Sequence, residues 1–299
     1  MGFYPISYSI NYLDMSKVID IKSQEYPRLL KEIKNSPKQL YYKGDWDTEI
    51  FKNCLAVVGS RRMTTYGKHV AERLITKIAA AGITIVSGFM YGIDAVSHRA
   101  ALTAKGRTIA VMPCGINIIH PAYQEKLYND ILDNNGLIIS EFKGDFPPDI
   151  WTYPKRNRIV AGLSKAALII EAGVKSGSLI TANYAKEYKR KVFAVPGPIT
   201  SSNSAGIIQL LKDRALIVSR AGDVLEHYDL KSIDSVANRN SFNLGELEKK
   251  ILLQLKQEPL EIDVLARIFE VSASKIGTTL SLMQLQGIIS KKGNKYYDC

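Results

Sequence analysis

From residue 54 onward the chain alternates short, near-continuous apolar runs with stretches of helical period. The runs are Leu55–Val58, Ile83–Ser87, Thr108–Met112, Leu137–Ser140, Ala167–Glu171, Val192–Val195 and Ala215–Val218. Between most of them the apolar positions recur at helical spacing, over Lys68–Ala81, Ala95–Lys105, Gln124–Asp133 and Leu179–Lys189. A strand that is apolar on both faces must be covered on both faces, so this alternation predicts a doubly wound, mostly parallel α/β sheet over 51–228. Residues 1–50 read as a short lead-in that packs on that core.

Periodicity then stops. Residues 229–243 are polar and rich in Ser and Asn, the composition of a linker. Beyond it the helical period returns over Gly245–Gln257, ending before Pro259, and over Ile262–Phe269. Ser272 and Ser274 supply a cap for a third helix, Lys275–Gln286. The tail Ile288–Tyr297 turns at Gly293-Asn294 between two β-type pairs, which predicts a hairpin. Three helices and a hairpin over 244–299 predict a small winged-helix-like domain.

Small and polar residues follow nearly every predicted strand of the larger domain: Gly59-Ser60-Arg61-Arg62, Ser87-Gly88, Pro113-Cys114-Gly115, Ser176-Gly177-Ser178 and Pro196-Gly197. In a parallel sheet these turns and the helix N-termini after them share one edge, where free N–H groups and helix dipoles favour anions. The turn Gly59–Gly67 is not G-x-G-x-x-G, and Ser87 stands where a dinucleotide fold places an acidic ribose hook. There is no P-loop, no G-x-S-x-G elbow and no paired-His metal motif. No cofactor and no catalytic activity are expected. Asp94 and His98 share a helix face, and Asp94 reads as an N-cap after Gly92-Ile93.

Charge narrows the choice of anion. The net charge is +11, and residues 151–220 hold 12 basic against 3 acidic residues. The densest chemistry is Trp151-Thr-Tyr-Pro-Lys155-Arg156-Asn157-Arg158, three cations within four residues beside two aromatics. Aromatic faces stack on unpaired bases while Arg and Lys meet phosphates, the combination that suits single-stranded nucleic acid. Arg156 and Arg158 also admit a structural role as ion-pair residues, and Tyr153 one in the core. Cys54, Cys114 and Cys299 are odd in number and have no C-x-x-C spacing, which predicts neither disulfides nor zinc and fits a reducing cytoplasm. No apolar run is long enough to span a bilayer, so no membrane partner is expected.

These residues in this order resemble the DNA-processing protein A (DprA/Smf) family. The likeness is carried by Tyr26-Pro27…Leu30…Ile33…Pro37…Leu40-Tyr41…Gly44, by Val58-Gly59-Ser60-Arg61 and by Ser87-Gly88…Gly92-Ile93-Asp94-Ala95. Ser140-Glu141, Tyr153-Pro154-Lys155-Arg156-Asn157-Arg158, Ser176-Gly177-Ser178…Thr181-Ala182 and Val195-Pro196-Gly197 continue it. The resemblance covers roughly 24–228. It implies an extended Rossmann-like, homodimeric single-stranded-DNA-binding protein that protects incoming DNA and loads RecA recombinase during natural transformation. It places the Gly59-Ser60-Arg61 turn and Pro154–Arg158 in the DNA pocket. The candidate DNA-contacting residues are therefore Gly59, Ser60, Arg61, Ser87, Gly88, Gly115, Tyr153, Lys155, Arg156, Asn157, Arg158, Lys175, Ser176, Gly177, Ser178 and Thr181.

The chain departs from the family pattern at three places. Phe89-Met90-Tyr91 replaces Leu-Ala-Arg, so a cation is lost and an aromatic gained; His120-Pro121 replaces Tyr-Pro, and Tyr153-Pro154 replaces Phe-Pro. An alternative reading is a nucleotide phosphoribohydrolase of related architecture, but Ala172–Thr181 lacks that group's Pro-Gly-Gly-x-Gly-Thr-x-x-Glu. A winged-helix regulator reading duplex DNA is a third; its inferred recognition helix, Lys275–Gln286, carries one cation. The hairpin lysines Lys291, Lys292 and Lys295 are left as possible phosphate contacts.

Overall fold

In the computed structural model, residues 17–230 and 244–298 are described. The chain divides into two compact units, residues 1–233 and 234–299. Most of the predicted linker, 231–243, lies outside the described residues, as does Cys299.

The first unit is built on one nine-stranded sheet. Its strands are β1 (Lys17–Asp20), β2 (Gln39–Gly44), β3 (Cys54–Val58), β4 (Thr84–Gly88), β5 (Thr108–Val111), β6 (Leu137–Ser140), β7 (Ala166–Ile169), β8 (Lys191–Ala194) and β9 (Leu216–Ile217), in the spatial order β1-β2-β6-β5-β4-β3-β7-β8-β9. β3 to β9 pair in parallel, and β1 and β2 add an antiparallel edge, with Tyr41 opposite Ser140 on β6. The sheet thus begins at Lys17, inside the stretch read from sequence as a lead-in. Residues 17–20 and 39–44 are too short and too polar to carry a strand signal of their own.

Each face of the sheet buries a separate apolar cluster. The residues that alternate along β3 show the division: Cys54, Ala56 and Val58 pack on one side with Leu30, Ile159 and Ile207, while Leu55 and Val57 pack on the other with Leu74, Ile78 and Val96. The first side is covered by α1 (Arg28–Lys31), α5 (Thr152–Gly162), α6 (Gly177–Glu187) and α7 (Ala205–Lys212). The second is covered by α2 (Thr65–Ala80) and α3 (Ile93–Thr103). The helix α4 (Glu125–Asp133) closes a third cluster around Phe89, Met112 and Ile138. Strand order reverses between β3 and β7, so a crevice opens beyond the carboxyl ends of those strands, the place where such sheets bind ligands.

The second unit has helices at Glu246–Gln257, Ile262–Phe269 and Ala273–Leu285 and a three-stranded antiparallel sheet. Lys291 pairs with Tyr296 across the hairpin, and Tyr296 with Leu260 on the third strand. Ser272 caps the last helix through the Lys275 N–H. Ile251, Leu255, Leu265, Leu280 and Met283 form its own buried core.

Candidate nucleic-acid interface

The turn after β3 opens the site. Gly59 lies against Ile93, where a Cβ would come within 2.6 Å of the Ile93 side chain, and the Ile93 N–H donates to the Ser60 carbonyl at 3.2 Å. Gly92, at φ +84°, occupies the left-handed region and packs on the Ser60 and Arg61 backbone. The start of α2 is fixed from the opposite strand. Buried Glu171, just past β7, accepts the Thr64 N–H at 2.9 Å and the Thr64 hydroxyl, while that hydroxyl accepts the Gly67 N–H at 3.0 Å. The two halves of the crevice are thereby locked together.

The crevice is a cleft of about 530 Å³ that the sequence-predicted Gly59, Ser60, Arg61, Gly88, Tyr153, Arg156, Asn157, Lys175, Ser176, Gly177, Ser178 and Thr181 line together. The exposed Arg61 guanidinium lies over the Tyr153 ring at 4.9 Å and beside the Tyr91 ring at 6.0 Å. Arg61 and exposed Lys175 enter none of the ion pairs found among the described residues. Across the cleft, Ser176 caps α6 and its hydroxyl meets that of Ser178 at 2.7 Å, so the positive end of α6 points inward. Asn157 holds the same helix end through the Gly177 carbonyl at 3.2 Å, and Thr181 Oγ1 is buried without a hydrogen-bond partner among the described residues. Four cations, Arg61, Arg62, Arg156 and Lys175, face a single carboxylate, Asp94.

Asp94 and Arg156 form the cleft's floor. Asp94 belongs to the first turn of α3, with Gly92 and not Asp94 at the N-cap, so the capping role expected from sequence is not the one it fills. Burial pushes its carboxyl up from 3.8 to about 6, against the pull of the Arg156 guanidinium and the Met90 N–H. Arg156 is buried, donates to the Val111 carbonyl, and has its own pKa lowered by burial. Gly88 leaves room for both, since a Cβ there would collide with Asp94 and with Arg156. His98 is also buried, bridging Thr108 Oγ1 and the Gly88 carbonyl at 2.7 Å each, and desolvation lowers its pKa to about 4. It is a neutral packing residue beneath the site.

Four candidates lie elsewhere. Ser87 is fully buried in the sheet, donating to the Val57 carbonyl at 2.6 Å. Gly115 joins two strand-end loops, its N–H on the Phe146 carbonyl and its Cα against Gly144. Lys155 and Arg158 turn away from the cleft to Glu141, at 3.4 Å and 2.5 Å. The reason is α5. The stretch Trp151–Arg158 enters a helix, so Tyr153, Arg156 and Asn157, three and four apart, share the cleft face, while Lys155 and Arg158, three apart, share another.

Sequence reasoning missed Arg62, Gly173, Ile180 and Asn203 among the lining residues. Asn203 donates to the Arg62 carbonyl at 2.7 Å and ties a loop more than a hundred residues away to the first turn. No local motif announces such a contact. His120 is a further partner, its Nε2 lying 2.8 Å from the Tyr153 hydroxyl. Two of the three departures from the family pattern thus touch each other, and the third, Tyr91, flanks the same arginine.

Fold and cleft together define a Rossmann-like protein with a cation-lined crevice at the switch point of its sheet. Residues 17–229 match the family described as DNA recombination-mediator protein A, and the chain belongs to that family. It is 36% identical to Protein Smf of Escherichia coli over 281 residues, covering 91% of this chain and 75% of that one. It is 38% identical to DNA processing protein DprA of Bacillus subtilis, covering 72% of each. Among solved structures, DNA processing protein A of Streptococcus pneumoniae superposes with a TM-score of 0.67 at 36% identity, covering 71% of this chain and 74% of that one. DNA processing protein A of Helicobacter pylori, described for its single-stranded DNA binding mode, gives a TM-score of 0.65 at 31% identity, covering 73% and 98%.

Proposed function

We propose that the protein is a single-stranded-DNA-binding recombination mediator without catalytic activity, and that the cleft between β3 and β7 holds the strand. The observation that carries this reading is Arg61, an exposed cation seated between Tyr153 and Tyr91 and facing the N-terminus of α6. Phosphate meets Arg61, Lys175 and the N–H of Gly177 at the start of α6; bases find aromatic faces on Tyr91 and Tyr153. Arg156 acts from the floor as a buried positive charge and as the anchor of α5.

The wider assignment follows the family resemblance: the protein acts in the cytoplasm as a homodimer, protects incoming DNA and loads RecA during natural transformation. Its C-terminal unit is read as a winged helix. Only one cation, Lys275, stands on the helix Ala273–Leu285, so that unit is assigned an auxiliary role.

Arg61→Ala tests the cleft. Binding of a short oligothymidine should weaken by about tenfold or more, with the slope of log K against log salt reduced by about 1. Wild-type affinity in the variant would sink the reading.

A further inference from the structure

The helix α5 has a cleft on each side, and only one is accounted for by Arg61 and Tyr153. On its other side a groove of about 870 Å³ runs between the carboxyl end of β6 and the start of β2, with Lys38, Tyr41, Lys155, Arg158 and Tyr184 among its walls. Arg158 is buried and gives one nitrogen to Glu141 Oε1 at 2.5 Å, but its Nη1 is buried with no hydrogen-bond partner among the described residues. Glu141 Oε2 is likewise buried without a hydrogen-bond partner and lies 3.4 Å from Lys155 Nζ, so the Arg158–Glu141–Lys155 cluster under the groove keeps unfilled hydrogen-bonding capacity. Glu141 carries the groove's one negative charge against three positive ones, Lys38, Lys155 and Arg158, so the groove favours an anion.

A ledge of aromatic rings adjoins the groove. Phe142 and Phe146 stack at 4.7 Å, and Trp151 meets both edge-on at 5.7 Å and 6.0 Å. The Lys155 ammonium lies over Phe142 at 5.0 Å and Trp151 at 5.6 Å. Trp151 and Phe146 remain exposed, and Ile150 beside them is 88% exposed. Apolar rings left in water around a lysine, next to a cationic groove, are what a stacking platform for unpaired bases requires.

Both clefts open on the same edge of the sheet. The first lies beyond β3, β4 and β7, the groove beyond β6, which is two strands from β4. At about 4.8 Å per strand that step is roughly 10 Å, about three stacked nucleotides at 3.4 Å each. Tyr153, in the first cleft, and Trp151, on the ledge, are two residues apart at the N-terminus of α5. The path between the sites is short.

We propose that the groove and its ledge form a second subsite for the strand held in the first cleft, with a base on Trp151 and Phe146 and a phosphate at Lys155 and Arg158. This rests on the reading of the first cleft as a single-strand site. The test uses the full chain and fluorescent oligothymidines of about 3 nucleotides, too short to span both sites, and about 15 nucleotides, long enough to do so. The variants are Trp151→Ala and Lys155→Ala, with Lys155→Arg as the charge-preserving control and Arg61→Ala for the first cleft.

The expected result is that Trp151→Ala and Lys155→Ala each weaken the long strand about tenfold and leave the short one within about twofold. Lys155→Arg should bind the long strand as wild type does. Arg61→Ala should weaken both lengths. Wild-type affinity of the two variants for the long strand, or equal losses on both lengths, overturns the second subsite while leaving the first cleft standing. Failure of the wild-type protein to bind either length overturns both.

Discussion

Arg61 and Asp94 set the cleft's charge from opposite positions, one exposed and one buried. Arg61 is held by rings, not by a carboxylate, so its charge stays available to a ligand. Asp94 is a different case, because its carboxyl titrates near neutrality. The groups facing it are Arg156 from α5, Arg61 from the first turn, and Ser87 and the Met90 N–H from the end of β4. His98 on its own helix stays neutral, with its pKa at about 4, and burial, aided by Arg61, also lowers that of His120. Among the residues lining the cleft, which include no other carboxylate and no histidine, Asp94 is therefore the group that changes charge between pH 7.5 and 5.5. Its native pKa, about 6, lies above the ordinary 3.8, so the folded protein holds the proton more tightly than the unfolded chain. Stability conferred by that proton is present below about pH 4 and is lost as pH rises through 6. The same proton removes a negative charge from beneath the phosphate site. Affinity for a short oligothymidine should rise about threefold or more from pH 7.5 to 5.5 at fixed salt. Asp94→Asn should flatten that profile and bind at pH 7.5 as tightly as wild type does at pH 5.5. A parallel pH dependence in the variant would assign the titration elsewhere.

At the scale of elements, the fixed point is the start of α2. The Thr64 hydroxyl accepts from Gly67 and donates to Glu171, so one side chain caps a helix and ties it to the neighbouring strand end. Thr64→Ala should cost about 1–3 kcal/mol in denaturant unfolding, from the lost cap and a buried carboxylate short of a donor. Thr64→Ser should recover most of it; equal losses in the two variants would show that the methyl group matters and not the hydroxyl. This contact also marks the limit of what sequence alone conveys. Glycine and serine at strand ends were legible because a parallel sheet brings those turns to one edge, and the strands β3 to β8 follow from apolar runs. The helix α5 was not legible. Pro154 and a dense run of cations obscure its period, and without the helix Lys155, Arg156 and Arg158 read as one basic cluster. The helical turn separates them into a cleft floor and a groove wall. Likewise Ser87 and Gly115 carry the right residue types at the right strand ends, yet their side chain and backbone are already engaged by Val57 and Phe146.

At the scale of the whole molecule, the chain builds two units with separate cores. The larger buries Leu55, Ile85 and Phe193 around its sheet, and the smaller buries Leu255, Leu280 and Met283 around three helices. Among the described residues the buried core of each unit is a separate set. The start of the sheet at Lys17 was not legible in the sequence, because an edge strand needs apolar residues on one face only. Tyr228, whose hydroxyl donates to the Cys54 carbonyl at 2.7 Å, and Leu230 still pack on the larger core, so a fragment must retain them. A fragment of residues 1–230 should therefore fold, and should unfold in a single transition where the full chain shows two. Every residue lining the cleft lies inside that fragment. Its affinity for a short oligothymidine should match that of the full chain within about twofold, since one small unit carrying a single cation on its third helix adds little phosphate contact. A loss of more than about tenfold on truncation would move a principal DNA contact into the C-terminal unit, and the assignment of the cleft as the strand's main site would have to be abandoned.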